Sequence, residues 1–418
     1  MSSNLIPNQR LIKPFYASFD GLRACAFLAV FTWHVSQAMP VHRGWLYWGW
    51  SGVDLFFVLS GFLITGILLD TTSKPHFFKN FYSRRALRIF PVFYGFWLLL
   101  LLLTPLLHFE WNRYVVATAF YFGNFFYPGY NFGLHASPGY MHYTIFGRHA
   151  YLFFDHFWSL CVEEQFYLIW PAVIWFVRSR RALLTICLVG IIATPCLRLT
   201  IFHFHPEQLA ALGLYCPTYA RCDSLFTGAA LAIWLRLPGT VSHPALRRNA
   251  LIVLACSLAA LVTLVKLDPN PAPFPLLDNI VATVGFTLIA FAAGSLLVYC
   301  LFEHTLLSRL LQWKPLQAIG RLSYGMYVYH EFFFPPLAPF LLVLRRHHLA
   351  ALYPVIIFVL TLFVAYLSFR FLESPFLRLK RDLAPRPDAI PDPPPVYQPL
   401  PDQASAPSLQ PITMDVRP

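Results

Sequence analysis

Residues 22–39 read LRACAFLAVFTWHVSQAM, an apolar run of membrane-spanning length that contains one arginine and one histidine. Arg23 and His34 are eleven residues apart. In a helix this is about three turns, so both side chains lie on one face, about 16 Å apart along the axis. A charged residue within a span costs about 2.5–3.5 kcal/mol on insertion scales and usually faces a protein interior or a wet cavity. The pattern predicts a membrane helix that lines a polar pathway.

The remainder of the chain also has the composition of a membrane protein. Of its 418 residues, 57% are hydrophobic and only 12% are charged, and apolar runs recur along most of its length. We therefore predict an all-α, polytopic integral membrane protein with about ten transmembrane helices. The predicted spans are 22–39, 51–69, 90–107, 154–177, 183–204, 224–237, 250–267, 280–302, 324–344 and 352–371. The apolar patch 115–126 is too short to span and is predicted to be interfacial or re-entrant.

Basic residues set the predicted orientation. With ten spans, the clusters that include Arg84, Arg178, Arg247 and Arg378 fall on the same side as the N-terminus, which the positive-inside rule makes cytoplasmic. Both termini are thus predicted to be cytoplasmic, although Arg345 and its neighbour 346 oppose the trend. The net charge of +12 is then a topology signal, and no nucleic-acid partner is indicated.

Two further features concern the tail and the cysteines. The segment 384–418 has 11 prolines in 35 residues, which predicts a disordered, proline-rich cytoplasmic tail after a transmembrane domain at 1–383. The eight cysteines are scattered and include no C-x-x-C pair, so neither a zinc site nor a disulfide framework is indicated.

Four motifs place polar residues in apolar surroundings. They are FDGLR at 19–23 followed by His34, GVDLFFVLSGF at 52–62, RRALRIFP at 84–91, and WSLCVEEQFY at 158–167. Together they resemble the membrane acyltransferase 3 family, whose members move acyl groups from acyl-CoA onto carbohydrates and other hydroxyl-bearing acceptors. The resemblance covers about 18–378 and includes the segments 219–228, 320–330 and 371–376.

The resemblance implies an acyl-CoA-dependent O-acyltransferase in a bacterial inner membrane. Acetyl-CoA is the expected co-substrate, no metal is implied, and the partners are membrane lipid and a carbohydrate or glycolipid acceptor. Arg85 and Arg88 are three residues apart on one helical face and could fork onto the phosphate oxygens of CoA. The alternative is that they are positive-inside anchors, which is the interpretation we favour for Arg84.

His34 is the candidate general base, because acyl transfer to a hydroxyl requires removal of the hydroxyl proton. A hydrogen-bonded packing role is the alternative for a lone histidine. Arg23, on the same face, and Glu163 complete the predicted catalytic set. Glu163 is expected to support His34 or to take the proton itself, whereas Glu164, about a hundred degrees round the helix, is expected to form an ion pair or pack.

Other polar residues are weaker candidates for substrate contact. Ser159 and Tyr167 form a stripe with Glu163 at every fourth residue. The remaining candidates are Asp54, Arg221, Asp223 and His330, with Glu373 as a secondary one. A mutual structural network is an alternative for the pair 221/223, and Asp20 is expected to pair with Arg23. The loop 127–151 could present aromatic rings to a sugar or belong to an interfacial belt.

Two other classes of function compete with the enzyme. The first alternative is a proton-coupled transporter of a small solute or glycolipid, whose intramembrane ionisable residues would relay protons. No internal repeat of the transporter type is visible, and the arginine pair favours the acyltransferase. An intramembrane hydrolase ranks last, because the sequence has neither H-E-x-x-H nor an obvious nucleophile elbow.

Overall fold

A computed structural model describes the protein over 5–7, 11–13, 15–39, 44–126, 139–145, 147–206, 213–267, 279–302 and 305–383. The predicted tail at 384–418 and the segment 127–138 of the predicted loop lie outside these described residues. The disorder of the tail and its separation from the transmembrane domain therefore stay predictions.

Helices make up most of the described chain. In order they are α1 (Ala17–Ala38), α2 (Gly52–Thr71), α3 (Phe77–Leu107), α4 (Arg113–Ala119), α5 (Phe157–Phe176), α6 (Arg180–Phe204), α7 (Cys222–Trp234), α8 (His243–Leu267), α9 (Phe286–Cys300), α10 (Leu306–Leu311), α11 (Lys314–Tyr329), α12 (Phe334–Arg346), α13 (Leu352–Ser368) and α14 (Ser374–Leu383). This confirms the all-α class. Each predicted span falls on one of these helices except 324–344, which runs from α11 through a short turn into α12. The patch 115–126 begins within the short helix α4.

Seven helical segments within the described ranges are long and apolar enough to cross a membrane. They contain α2, α3, α6, α8, α9, the pair α11–α12 and the pair α13–α14. The helix α7 is too short at 13 residues. Helices α1 and α5 are long enough, but their polar residues lower the mean hydropathy. The count of ten spans and the side on which the termini lie stay predictions.

Short 3-10 and π turns connect several of the helices. A 3-10 turn, His330–Phe333, links α11 to α12. One π turn, Val281–Gly285, precedes α9 and another, Phe369–Glu373, separates α13 from α14. Such turns are often found at functional sites.

Four short strands form two antiparallel pairs. Strands β1 (Leu5–Pro7) and β4 (Thr240–Ser242) pair with each other, and β2 (Tyr140–Ile145) and β3 (Arg148–Phe153) form a hairpin. The hairpin lies where a loop was expected, immediately before α5. This small β element was not predicted from the sequence.

Glycines allow the central helices to approach closely. A Cβ added at Gly320 on α11 would lie 1.8 Å from the carbonyl oxygen of Asp20 on α1, and one at Gly228 on α7 would lie 2.0 Å from the carbonyl oxygen of Val58 on α2. Small residues serve this purpose in membrane interfaces. The contact between α1 and α11 matters most, because it brings His34 beside the 3-10 turn that follows α11.

Candidate active site

His34 lies near the C-terminal end of α1 in a cluster of histidines around one buried carboxylate. Its Nε2 is 2.9 Å from Oε1 of Glu331, and its Nδ1 is 3.0 Å from Nε2 of His330. The other carboxylate oxygen of Glu331 is bonded to Nδ1 of His156, the residue before α5. Three parts of the chain therefore meet at Glu331.

This arrangement corrects the predicted partner of His34. The carboxylate that bonds to His34 is Glu331, whereas Glu163 accepts a hydrogen bond from the hydroxyl of Ser60. An imidazole held by a carboxylate through one nitrogen has a fixed orientation, and the carboxylate stabilises the protonated ring. The geometry thus supplies the support expected for His34, from a residue that the sequence analysis did not select.

The predicted substrate residue His330 contacts His34, but its own side chain is not accessible to a substrate. It is fully buried, and its Nδ1 is 2.7 Å from the carbonyl oxygen of Tyr327. Because a carbonyl only accepts, His330 donates from Nδ1 to Tyr327. In the neutral ring, Nε2 therefore carries no proton and faces Nδ1 of His34 as a hydrogen-bond acceptor.

A cavity of about 490 Å³ opens beside this cluster. Its volume is in the range of small-molecule sites. Its aromatic lining includes Trp33, Trp50, Tyr151, Phe153, Trp158 and Tyr215, and its polar lining includes His34, Gln37, Asp155, His156, Tyr327 and Glu331. Flat aromatic surfaces combined with a few hydrogen-bonding groups suit a ligand that has both apolar faces and hydroxyl groups, such as a sugar.

The predicted stripe on α5 runs away from this cavity. The Ser159 hydroxyl is 2.5 Å from the hydroxyl of Tyr327, at the cavity wall. Further along, the Tyr167 hydroxyl donates to Ser60 over 2.7 Å, and Ser60 donates to Glu163. The stripe thus makes two sets of polar contacts, one with Tyr327 of α11 and one with Ser60 of α2.

Arginines occupy the other end of the stripe. The Arg85 guanidinium lies 3.7 Å from the ring centre of Tyr167 and 3.8 Å from a carboxylate oxygen of Glu164, which confirms the expected ion pair. Arg23 donates to Asp20 over 2.8 Å, also as expected. Arg88 is exposed, and Arg23 and Arg85 lie near enough to interact with its charge. Three guanidinium groups therefore gather at the Arg23 end of α1.

The other substrate candidates lie in a separate buried network. Asp54 accepts from Arg221 over 2.5 Å, and Asp223 accepts from Arg198 over 2.9 Å. These four side chains are fully buried, and none of them lines the cavity described above. Arg221 and Asp223 thus belong to one buried structural network, in which each has a different hydrogen-bond partner. The contacts join α2, α6 and α7.

Glu331, His156 and Arg198 were missed by the sequence analysis. Each is a polar residue in an apolar segment, which is the signal that selected His34. Glu331 directly follows the selected His330, and His156 directly precedes α5. Within the described residues, no group of three or more histidines, cysteines or carboxylates has the arrangement of a metal site.

Comparison with known proteins defines the class. Residues 16–370 match the family model described as "Acyltransferase domain", so the chain belongs to the membrane acyltransferase 3 family, as its motifs predicted. No solved structure is significantly similar.

Three bacterial relatives illustrate the similarity. The chain is 28% identical over 386 residues to the O-acetyltransferase OatA of Staphylococcus aureus, covering 88% of this chain and 58% of that protein. It is 30% identical over 383 residues to the peptidoglycan O-acetyltransferase OatA of Listeria monocytogenes, covering 88% and 56%. It is 27% identical over 381 residues to the putative peptidoglycan O-acetyltransferase YrhL of Bacillus subtilis, covering 86% and 55%. The chain thus spans little more than half the length of these relatives.

Proposed function

We propose that this protein is a membrane O-acyltransferase that moves an acyl group, acetyl in the first instance, from acyl-CoA to a hydroxyl of a carbohydrate acceptor. The observation that carries the proposal is His34, bonded to Glu331 at the wall of an aromatic cavity and on the same helix as Arg23. Family membership and the relatives named above support it. By analogy with them, a peptidoglycan glycan strand is the first acceptor to test.

The donor is assigned to the arginine end of the molecule. CoA carries a pyrophosphate and a 3′-phosphate, and guanidinium groups bind phosphate oxygens in pairs. Arg88 is exposed and lies near Arg23 and Arg85. On this assignment the arginine end faces the cytoplasm of a bacterium, where acyl-CoA is made, and the pantetheine arm extends along the α5 stripe.

The acceptor is assigned to the cavity, where His34 is the general base. Its Nε2 donates to Glu331, and the contact with His330 requires a proton on Nδ1 as well. His34 must therefore first give up the Nδ1 proton and part from His330, and the neutral Nδ1 then takes the proton of the acceptor hydroxyl. As the O–H proton moves to Nδ1, the oxygen forms a bond to the thioester carbonyl. The C–S bond then breaks, and protonated His34 gives its proton to the CoA thiolate, which leaves as the free thiol.

Glu163 is proposed to act on the donor side of this step. It lies midway along the α5 stripe, bonded to Ser60 and within the field of Arg85 and Arg23. From this position Glu163 would orient the thioester arm rather than contact His34.

The test is acyl transfer by purified protein in lipid nanodiscs. Radiolabelled acetyl-CoA and isolated glycan strands should give labelled, base-labile ester and one free CoA thiol per ester formed. His34→Ala should abolish both products while the protein remains folded and membrane-bound. Proton-coupled uptake into vesicles without release of CoA thiol would instead favour a transporter.

A further inference from the structure

The β2–β3 hairpin has two chemically distinct faces. Successive side chains in a strand point to opposite faces. Met141, Tyr143 and Leu152 are buried against the protein, with exposed fractions of at most 9%. This packing holds the hairpin against the protein, so the opposite face of the hairpin points outward.

The outward face is an aromatic surface. Its opposed pairs are Tyr140 with Phe153, His142 with Tyr151, and Thr144 with His149. Ring centres of Tyr140 and Tyr151 are 5.8 Å apart, and those of Tyr151 and Phe153 are 5.1 Å apart. Tyr140 and Tyr151 are nonetheless 36% and 41% exposed. Exposed aromatic clusters of this kind commonly mark interaction sites.

This face continues into the cavity that holds His34. Tyr151 and Phe153 line the cavity, whereas Tyr140 and His142 lie outside its lining. Since Tyr151 is also exposed, it stands at the mouth. From the Tyr140 pair to the Thr144 pair is four residues of strand, or about 14 Å, which is longer than one sugar ring.

We propose that the outward face of the hairpin is a second acceptor subsite, which binds the glycan chain beyond the sugar that is acylated. This rests on the proposed function. A pyranose ring has an apolar C–H face that stacks on an aromatic ring, and its hydroxyls bond to tyrosine, histidine and threonine side chains. The Thr144 hydroxyl and Nδ1 of His149 are 3.2 Å apart at the far end, which gives the surface a polar end that a lipid chain would not match. The enzyme therefore prefers a polymer to a monosaccharide.

The experiment compares acceptors of different length. Initial rates of transfer from acetyl-CoA are measured with N-acetylglucosamine and with its β-1,4-linked hexamer, for wild type, Tyr140→Ala and His142→Ala. Both substituted residues lie outside the cavity lining. We expect each variant to raise KM for the hexamer by about three- to tenfold and to leave KM for the monomer unchanged. Equal changes for both acceptors, or no change for either, would overturn the proposal.

Two controls separate the possible failures. Tyr366→Ala removes a tyrosine of α13 whose exposed fraction, 41%, is close to the 36% of Tyr140, and it should leave both KM values unchanged. Equilibrium binding of the hexamer without acetyl-CoA should weaken in Tyr140→Ala even if no turnover is detected, so a failed activity assay and a failed subsite are distinguishable. If Tyr140→Ala leaves equilibrium binding of the hexamer unchanged, the face does not bind glycan and the subsite is rejected.

Discussion

At the scale of single residues, the contact between His34 and Glu331 carries the proposed chemistry. Glu331→Gln keeps the shape of the side chain but removes the charge that would stabilise a protonated His34. We expect this variant and His34→Ala each to lower kcat by about 10²- to 10⁴-fold. The double variant should be hardly worse than either, because residues that act as a unit are not additive.

The measurement is the initial rate of CoA thiol release at saturating acceptor, with folding checked by size-exclusion chromatography. A Glu331→Gln variant with near-normal kcat would reject the pair as the catalytic unit. Additive losses in the double variant would show instead that the two residues act separately.

A second residue-level prediction distinguishes the adjacent glutamates. Glu163 accepts from Ser60 within the α5 stripe, whereas Glu164 faces Arg85 at 3.8 Å. Glu163→Gln should therefore lower kcat far more than Glu164→Gln does. The main effect of Glu164→Gln should be a change in donor KM. Rates at saturating donor for the two glutamine variants give the answer. The reverse order would mean that the productive face of α5 is the one that carries Glu164.

Local contacts at this scale were predictable, and distant ones were not. The ion pair Asp20–Arg23 and the alignment of Ser159, Glu163 and Tyr167 on one face of α5 follow from helical spacing alone. By contrast, His34 contacts the turn that contains His330 and Glu331, and His330 is 296 residues away from His34 in the sequence. That contact depends on the close approach of α1 and α11 at Gly320, which no periodicity in a single sequence reveals.

At the scale of elements, the buried ion pairs hold the helices in register. Arg198 donates to Asp223, to the Thr287 hydroxyl and to the carbonyls of Thr283 and Ala220, so it bonds to α7 and to the chain around α9. Removing one partner of a buried pair leaves an uncompensated charge. Arg198→Met should therefore lower the free energy of unfolding by about 3–5 kcal/mol.

Denaturant unfolding in detergent tests this effect. Arg248→Met, at an exposed position on α8, is the matched control and should change stability little. If Arg198→Met unfolds like wild type but fails to transfer acyl groups, the network belongs to the site and the structural assignment is wrong.

Element prediction succeeded where apolar periodicity was strong and failed where the chain is polar or short. The ten apolar runs all became helices, although α3 begins at Phe77, well before the predicted start at 90. The hairpin departs from the predicted loop, whose aromatic composition alone does not indicate strands. Its alternation over YMHYTI, which places Met141 and Tyr143 on one face, was the available signal.

At the scale of the whole molecule, α1 joins two sites of opposite chemistry. Arg23 at one end belongs to an arginine cluster, and His34 at the other end borders the aromatic cavity. On the proposed function, the separation of about 16 Å would let a charged donor bind from one side of the membrane while a glycan binds from the other. The polar residues that make α1 and α5 poor membrane spans by composition are the residues that connect the two sites.

Separate sites predict separate kinetic effects. On the proposed function, Arg88→Ala would remove a charge-assisted bond to donor phosphate, worth about 1.5–3 kcal/mol, so donor KM should rise about ten- to hundredfold while acceptor KM is unchanged. Gln37→Ala removes an amide from the cavity wall and should raise acceptor KM about two- to tenfold with donor KM unchanged. Both constants are obtained by varying each substrate at several fixed levels of the other. If each variant raises both KM values equally, donor and acceptor share one site, and the arrangement along α1 has another purpose.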